Sequence, residues 1–100
     1  MIVIAGSVRV RPEARERAIG VALEMAKATQ KEAGCRAYRF SADLTDPTLF
    51  YIHEEWDDAE ALTRHFATPH MATFSAALPA LIAGPPTITR FEVTSAGPLG

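Results

Sequence analysis

The stretch from Phe50 to Leu78, FYIHEEWDDAEALTRHFATPHMATFSAAL, switches its hydrophobic period part-way along, and that switch limits what the chain can fold into. Leu49 to Trp56 is rich in aromatic and β-branched residues and lacks Gly and Pro, which predicts a strand. Alternation then places Phe50, Ile52, Glu54 and Trp56 on one face, and Tyr51, His53 and Glu55 on the other. Asp57 is suited to cap a following helix, with Glu60 completing a capping box. Ala61, Leu62, His65 and Phe66 recur at helical spacing, which puts His65 on an apolar stripe. Thr68 and Pro69 restart the chain as N-cap and first residue of a second helix. Met71, Phe74 and Leu78 form its stripe, with Leu81 as a further member, and Pro79 is expected to end or kink it.

The flanking segments supply the frame. Ile2 to Val10 reads as a strand with Ile2, Ile4, Gly6, Val8 and Val10 on one face. Gly6 marks a bulge, a close approach of a ligand to the backbone, or a plain packing gap. Pro12 opens the longest helix, whose apolar face is read as Ala18, Ile19, Ala22, Leu23, Met25 and Ala26. Glu24, Lys27, Lys31 and Glu32 fall among solvated positions, and Gly34 is the expected stop. Cys35 to Leu44 reads as a second strand, with Tyr38, Phe40 and Ala42 on one face. The turn Leu44-Thr45-Asp46-Pro47-Thr48 joins it to the Leu49 strand as an antiparallel hairpin. Gly84-Pro85-Pro86 breaks the chain before a fourth strand over Thr87 to Thr94, and Ser95 to Gly100 reads as a loose or partner-swapped tail.

The order β-α-β-β-α-β predicts an α+β fold of ferredoxin-like type, a four-stranded antiparallel sheet with helices on one face, in a single domain spanning residues 1–100. The opposite sheet face is too apolar for open water, so a second copy of the chain is expected to cover it. A net charge of -2 with interspersed signs argues against nucleic acid and against an anionic membrane surface. Arg9 and Arg11 cut the apolar start short, so it reads as a strand rather than a signal or span. The lone Cys35 excludes an internal disulfide and fits a cytoplasmic protein.

Several short motifs occur in order along the chain: Gly34-Cys35, Asp46-Pro47, Glu54-x-Trp56, and His65-x-x-Thr68-Pro69-His70-Met71. Together they resemble the antibiotic biosynthesis monooxygenase family of dimeric α/β barrels, which includes quinol monooxygenases. The resemblance implies a homodimer acting on a small aromatic substrate with dioxygen and without a cofactor. Its relatives also include heme-degrading enzymes and an isomerase of a phosphorylated autoinducer sugar. The heme branch resembles this chain less. Where that branch carries an Asn, a Trp and a proximal His, this chain holds Gly6 or Ser7, His65, and Phe74 or Ser75. The isomerase would need a phosphate site, for which Arg39, Arg64 and Arg90 are scattered candidates.

In that family the pocket lies between sheet and helices. The resemblance therefore implies a substrate site lined by Glu54, Trp56, Phe66 and Phe74, with Tyr38 and Phe40 from the second strand, and the same residues equally describe an ordinary core. His65 is the first candidate for a general base, because cofactor-free oxygenation needs a phenol or hydroquinone to lose a proton. A helix-end histidine capping carbonyls is the bland alternative. His70, at the start of its helix, either hydrogen-bonds a substrate oxygen or orients Glu54, while His53 faces the other way, toward an interface. No metal is expected. His65 and His70 straddle a helix break, and no third ligand stands near them in the sequence. A non-catalytic ligand-binding or dimerisation domain remains an alternative reading of the whole.

Overall fold

The alternation in the third strand survives folding with its boundaries unchanged. In the computed structural model, which describes residues 1–100, strand β3 runs from Leu49 to Trp56 and all four even-numbered side chains are buried. Strand β1 (Ile2–Arg9) precedes it, followed by a 3₁₀ turn (Pro12–Ala14), helix α1 (Arg15–Thr29) and strand β2 (Cys35–Ala42). After β3 come helix α2 (Ala59–Phe66), helix α3 (Pro69–Leu81) and strand β4 (Thr87–Glu92). The sheet order is β2-β3-β1-β4, antiparallel throughout, which is the ferredoxin-like arrangement expected from the element order.

Register decides which residues meet. Tyr38 pairs with Glu54, Glu54 with Ile4, and Ile4 with Arg90, so these four form one rung across the sheet. The neighbouring rung is Phe40, Ile52, Gly6 and Ile88. Both rungs face the helices. The core against this face has two clusters, one built around Ile2, Ile4, Met25, Tyr38, Ile52, Trp56 and Leu62, the other around Val10, Ala18, Phe50 and Leu81.

Several local expectations give way to tertiary contacts. Helix α1 ends at Thr29, before the expected stop at Gly34. Gly34 instead takes φ +85° in the connection to β2, and a Cβ there would lie 2.5 Å from the Ala61 Cβ of α2. The buried stripe of α1 is Ala18, Ala22, Met25 and Thr29, and Leu23 lies 65% exposed because it sits about 100° around the helix from Ala22. Asp58 caps α2 in place of Asp57, its carboxylate accepting the Ala61 N–H at 2.8 Å. Asp57 is engaged elsewhere, by the Arg36 guanidinium and through its own N–H to the Gly34 carbonyl.

Thr68 does cap α3, accepting from the Met71 N–H, but Pro79 does not end the helix, which continues to Leu81. An interior proline costs about 3 kcal/mol in a helix. Here Leu81 is anchored in the core, and the segment is stitched to the end of β1 by Arg11 N–H to Leu81 O and Ala83 N–H to Arg9 O. The two outer strands are shorter than expected, β2 ending at Ala42 and β4 at Glu92. Val10 lies just past β1, in an isolated bridge to Ile82. No helix is long and apolar enough to cross a membrane.

Gly6 marks neither a bulge nor an open gap. It pairs in regular register with Ile52 and Ile88, and a Cβ at this position would meet the Thr87 carbonyl oxygen at 2.3 Å and the Ile88 Cα at 2.6 Å. Backbone cannot swing aside as a flexible side chain can, so β4 itself would have to move. Gly6→Ala should cost about 1–3 kcal/mol of stability, read as a lowered chemical-denaturation midpoint. Gly20→Ala, in the interior of α1 where nothing lies within 4 Å, should by contrast hold or raise the midpoint, by up to about 1 kcal/mol of helix propensity, and an unchanged midpoint for Gly6→Ala would refute the close approach.

Candidate functional site

The covered face of the sheet leaves a cavity of about 270 Å³ beneath α2 and α3. From the sheet it is lined by Ile4, Tyr38, Phe40, Ile52, Glu54 and Arg90. From the helices it is lined by His65, Phe66, Met71, Phe74 and Leu78. The Tyr38 and Phe40 rings pack edge to face with centroids 5.5 Å apart, and the Phe40 and Phe74 centroids are 5.8 Å apart, so the three rings form a continuous aromatic wall. Six residues anticipated from the sequence converge here: Tyr38, Phe40, Glu54, His65, Phe66 and Phe74.

Two anticipated residues stand elsewhere. Trp56 is completely buried and does not line the cavity; its indole N–H donates to Glu54 Oε1 at 2.9 Å, and its ring lies 4.7 Å from that of His65. It positions two site residues from behind. His70 opens instead onto a separate cleft of about 380 Å³ between α1 and α3, and it neither lines the aromatic slot nor contacts Glu54. The start of α3 turns the His70 side chain toward the α1–β2 connection, and there it meets an acid.

That acid is Glu32, which the sequence pattern assigns to the solvated side of α1. It lies beyond the helix end, in the turn closed by Gly34, and its side chain is only 13% exposed. One carboxylate oxygen, Oε2, lies 2.7 Å from His65 Nδ1 and 2.7 Å from His70 Nε2. A carboxylate accepts and an imidazole N–H donates, so both histidines present protonated nitrogens to Glu32. For neutral His65 this fixes the tautomer. Nδ1 carries the proton, and Nε2 is left with a lone pair on a ring that lines the cavity. Gly34 makes this possible, because its lack of a Cβ lets the Glu32 turn press against Ala61 on the helix that carries His65.

Local sequence carries little sign of Glu32, since a single acid after a helix is ordinarily solvated. The only hint is the pair of histidines flanking a Thr-Pro cap, each on the inward side of its helix.

The second acid behaves differently. Burial pushes the Glu54 carboxyl above its usual range; the Trp56 hydrogen bond and the neighbouring His65 pull it back, and the Glu32 charge raises it further. Buried Glu is rare without a cationic partner, and Glu54 has only an indole N–H. A desolvated carboxyl and a tautomer-locked histidine on one cavity are the usual ingredients of proton chemistry. Tyr38 is pushed well above the ordinary phenol range, first by burial and then by the Glu54 and Glu32 charges. It therefore remains a hydrogen-bond donor at any physiological pH.

A sequence profile for antibiotic biosynthesis monooxygenases matches residues 1–77, which contain all of these groups except Leu78 and Arg90. The chain belongs to this family. Among family-like proteins, the Deinococcus radiodurans structure described as a candidate antibiotic biosynthesis monooxygenase superposes with a TM-score of 0.90 at 28% identity, covering 100% of this chain and 99% of that one. The Bacillus subtilis protein YcnE, named as a candidate monooxygenase, is 28% identical over 94% of this chain and 99% of its own length. An uncharacterised Synechocystis protein is 33% identical over 92% of this chain, which spans only 63% of that relative's length.

In this family member, the charge on Glu54 opposes folding, and the sign of the pH effect follows. A carboxyl raised in the folded state binds its proton more tightly there, so the contribution is most favourable below the ordinary Glu value of about 4.3 and is lost as pH rises through the raised value. Glu54→Gln keeps an oxygen to accept from Trp56 and removes the titration. Its stability relative to wild type should rise across that window and level off above it, measured by thermal unfolding from pH 4 to 8. A pH-independent difference would show that Glu54 is not desolvated.

Proposed function

We propose that this chain is a cofactor-independent monooxygenase that oxidises a quinol or polycyclic phenol with dioxygen. The observation that carries the reading is His65: with Nδ1 held by Glu32, Nε2 is the nitrogen available to a molecule in the aromatic slot. At about 270 Å³ the slot lies just below the roughly 300–1,000 Å³ typical of small-molecule sites, room for a flat molecule of two or three fused rings.

Deprotonation begins the reaction. His65 Nε2 accepts the acidic proton of the bound phenol or its keto form, and the adjacent Glu32 carboxylate balances the positive charge that the ring gains. The resulting anion is electron-rich enough to pass one electron to dioxygen, giving superoxide and a substrate radical that recombine to a carbon-bound peroxide. Proton return forms the hydroperoxide, which loses water to leave a carbonyl, so one oxygen atom enters the product and the other leaves as water. Tyr38, held protonated on the slot wall, would donate to the substrate oxygen, and Glu54 keeps Oε2 free because Trp56 engages Oε1. The apolar walls shield the radical pair from solvent.

A homodimer is part of the same proposal. Strand β4 is exposed along its whole length, with Ile88 and Phe91 about half exposed, and Tyr51 stands on the uncovered face of β3. The alternative of phosphosugar isomerisation draws less support. Of the arginines considered, only Arg90 lines the cavity, and it already lies 3.7 Å from Glu92.

Metal-stripped protein should consume dioxygen saturably with reduced naphthoquinols or anthrones, above the autoxidation blank. His65→Ala should lower turnover by roughly 10²–10⁴-fold, the usual contribution of a general base. Unchanged turnover in that variant would remove the central step. Saturable binding without uptake would make the chain a ligand-binding domain, and turnover of a phosphorylated sugar would make it an isomerase.

A further inference from the structure

The shared Glu32 oxygen gathers two histidines that the sequence separates, and only N–H protons lie between the three ligand atoms. His65 Nδ1, His70 Nε2 and a Glu32 carboxylate oxygen all lie within 4.8 Å of one another. We propose that Glu32, His65 and His70 form a binding site for one divalent transition-metal ion of the zinc class.

The donor set selects the ion. Two imidazole nitrogens with one carboxylate oxygen suit zinc and its first-row neighbours, whereas calcium and magnesium prefer all-oxygen shells. Bond lengths of about 2.0–2.2 Å set tetrahedral ligand atoms roughly 3.3 Å apart. The 2.7 Å hydrogen bonds that the two histidines donate to Glu32 would thus open by about 0.6 Å. The two histidine nitrogens, within 4.8 Å of each other, would close toward the same spacing, a movement that falls to Glu32 and the partly exposed His70 rather than to the packed His65. The same nitrogens that point N–H groups at the carboxylate point lone pairs at a metal once those protons leave.

The surroundings suit an ion that comes and goes. His65 is held by packing, its side chain 2% exposed against Trp56, and so offers a rigid first ligand. His70 is 26% exposed and borders the α1–α3 cleft, so the site has an approach from solvent and room there for a water as fourth ligand. Its spacing from His65 is unlike a helical metal pair because the Thr68-Pro69 cap lies between them, yet the two helices deliver both rings to one point.

Occupancy has a chemical consequence. Metal on Nδ1 leaves the proton of neutral His65 on Nε2, the nitrogen that Glu32 does not engage, on a ring that lines the aromatic slot. The ion would then inhibit proton abstraction rather than assist it. This consequence rests on the general-base reading above; the binding site itself does not.

The test is calorimetric titration of metal-stripped, full-length protein with zinc chloride, followed by cobalt substitution and visible spectroscopy. One zinc per chain is expected, with cobalt bands of a four- or five-coordinate N/O site and no displacement by excess magnesium. His70→Ala, at a partly exposed position, and the isosteric Glu32→Gln should each weaken zinc at least tenfold while circular dichroism shows the fold intact. His53→Ala, which removes the exposed His53–Glu55 pair, should leave the affinity unchanged. Absence of saturable zinc binding, or a tenfold loss in His53→Ala with little change in His70→Ala, would overturn the site. Zinc that binds as expected but leaves dioxygen uptake untouched would retain the site and refute His65 as the base.

Discussion

Period-two alternation along β3 is the constraint on which the rest depends. It commits Phe50, Ile52, Glu54 and Trp56 to one buried face, so the strand that builds the core must also bury a carboxylate. Hydrophobic burial stabilises three of these four positions and opposes the fourth. Glu54 is tolerated because Trp56, two residues along the same face, supplies an indole N–H, and because the cavity keeps its other oxygen from being sealed in apolar packing. A core selected for stability alone would place an aliphatic residue there.

The two acids near His65 show how environment divides one chemical group into two roles. Glu32 accepts two N–H donors at the edge of the fold and acts as an anchor for two rings. Glu54 is desolvated with one neutral donor, which raises its carboxyl. His65 connects them: Nδ1 is held by the Glu32 carboxylate, and the ring lines the same slot as Glu54. The ring is kept in place by Trp56 on one side and by its position on the buried stripe of α2. Such preorganisation is what general-base catalysis requires of a scaffold, and also what a metal site requires.

Ferredoxin-like sheets host many chemistries, so the fold alone says little about the reaction. The weight falls on the local arrangement. A phosphate-handling site would concentrate cations, and here the cavity has one arginine among aromatic and aliphatic walls. A cofactor-free oxygenase needs a base, a donor for substrate oxygen and an aromatic slot, and His65, Tyr38 and the Phe40–Phe74 wall suit the proposed roles. The exposed β4 and the bare sheet face are the surfaces that the proposed homodimer would cover.

Elements whose pattern is local could be read from the chain directly. Strand β3, the Thr68-Pro69 cap and the β2–β3 hairpin rest on alternation, capping chemistry and turn residues that act within a few positions of one another. Period placed Glu54, His65, Phe66 and Phe74 on inward faces, and their grouping with Tyr38 and Phe40 around one pocket was what the family resemblance implied. Where local signals competed, contacts from elsewhere decided: Asp57 was drawn to Arg36 and ceded the cap to Asp58, and Pro79 was carried through by the anchoring of Leu81. Glu32 is the clearest case of what only the tertiary structure could decide. It is far from both histidines in sequence, and it reaches them because Gly34 lets two segments approach more closely than any side chain would allow. Periodicity reports which face of an element is buried; which distant polar atom meets that face is set by packing between elements, and no local pattern encodes it.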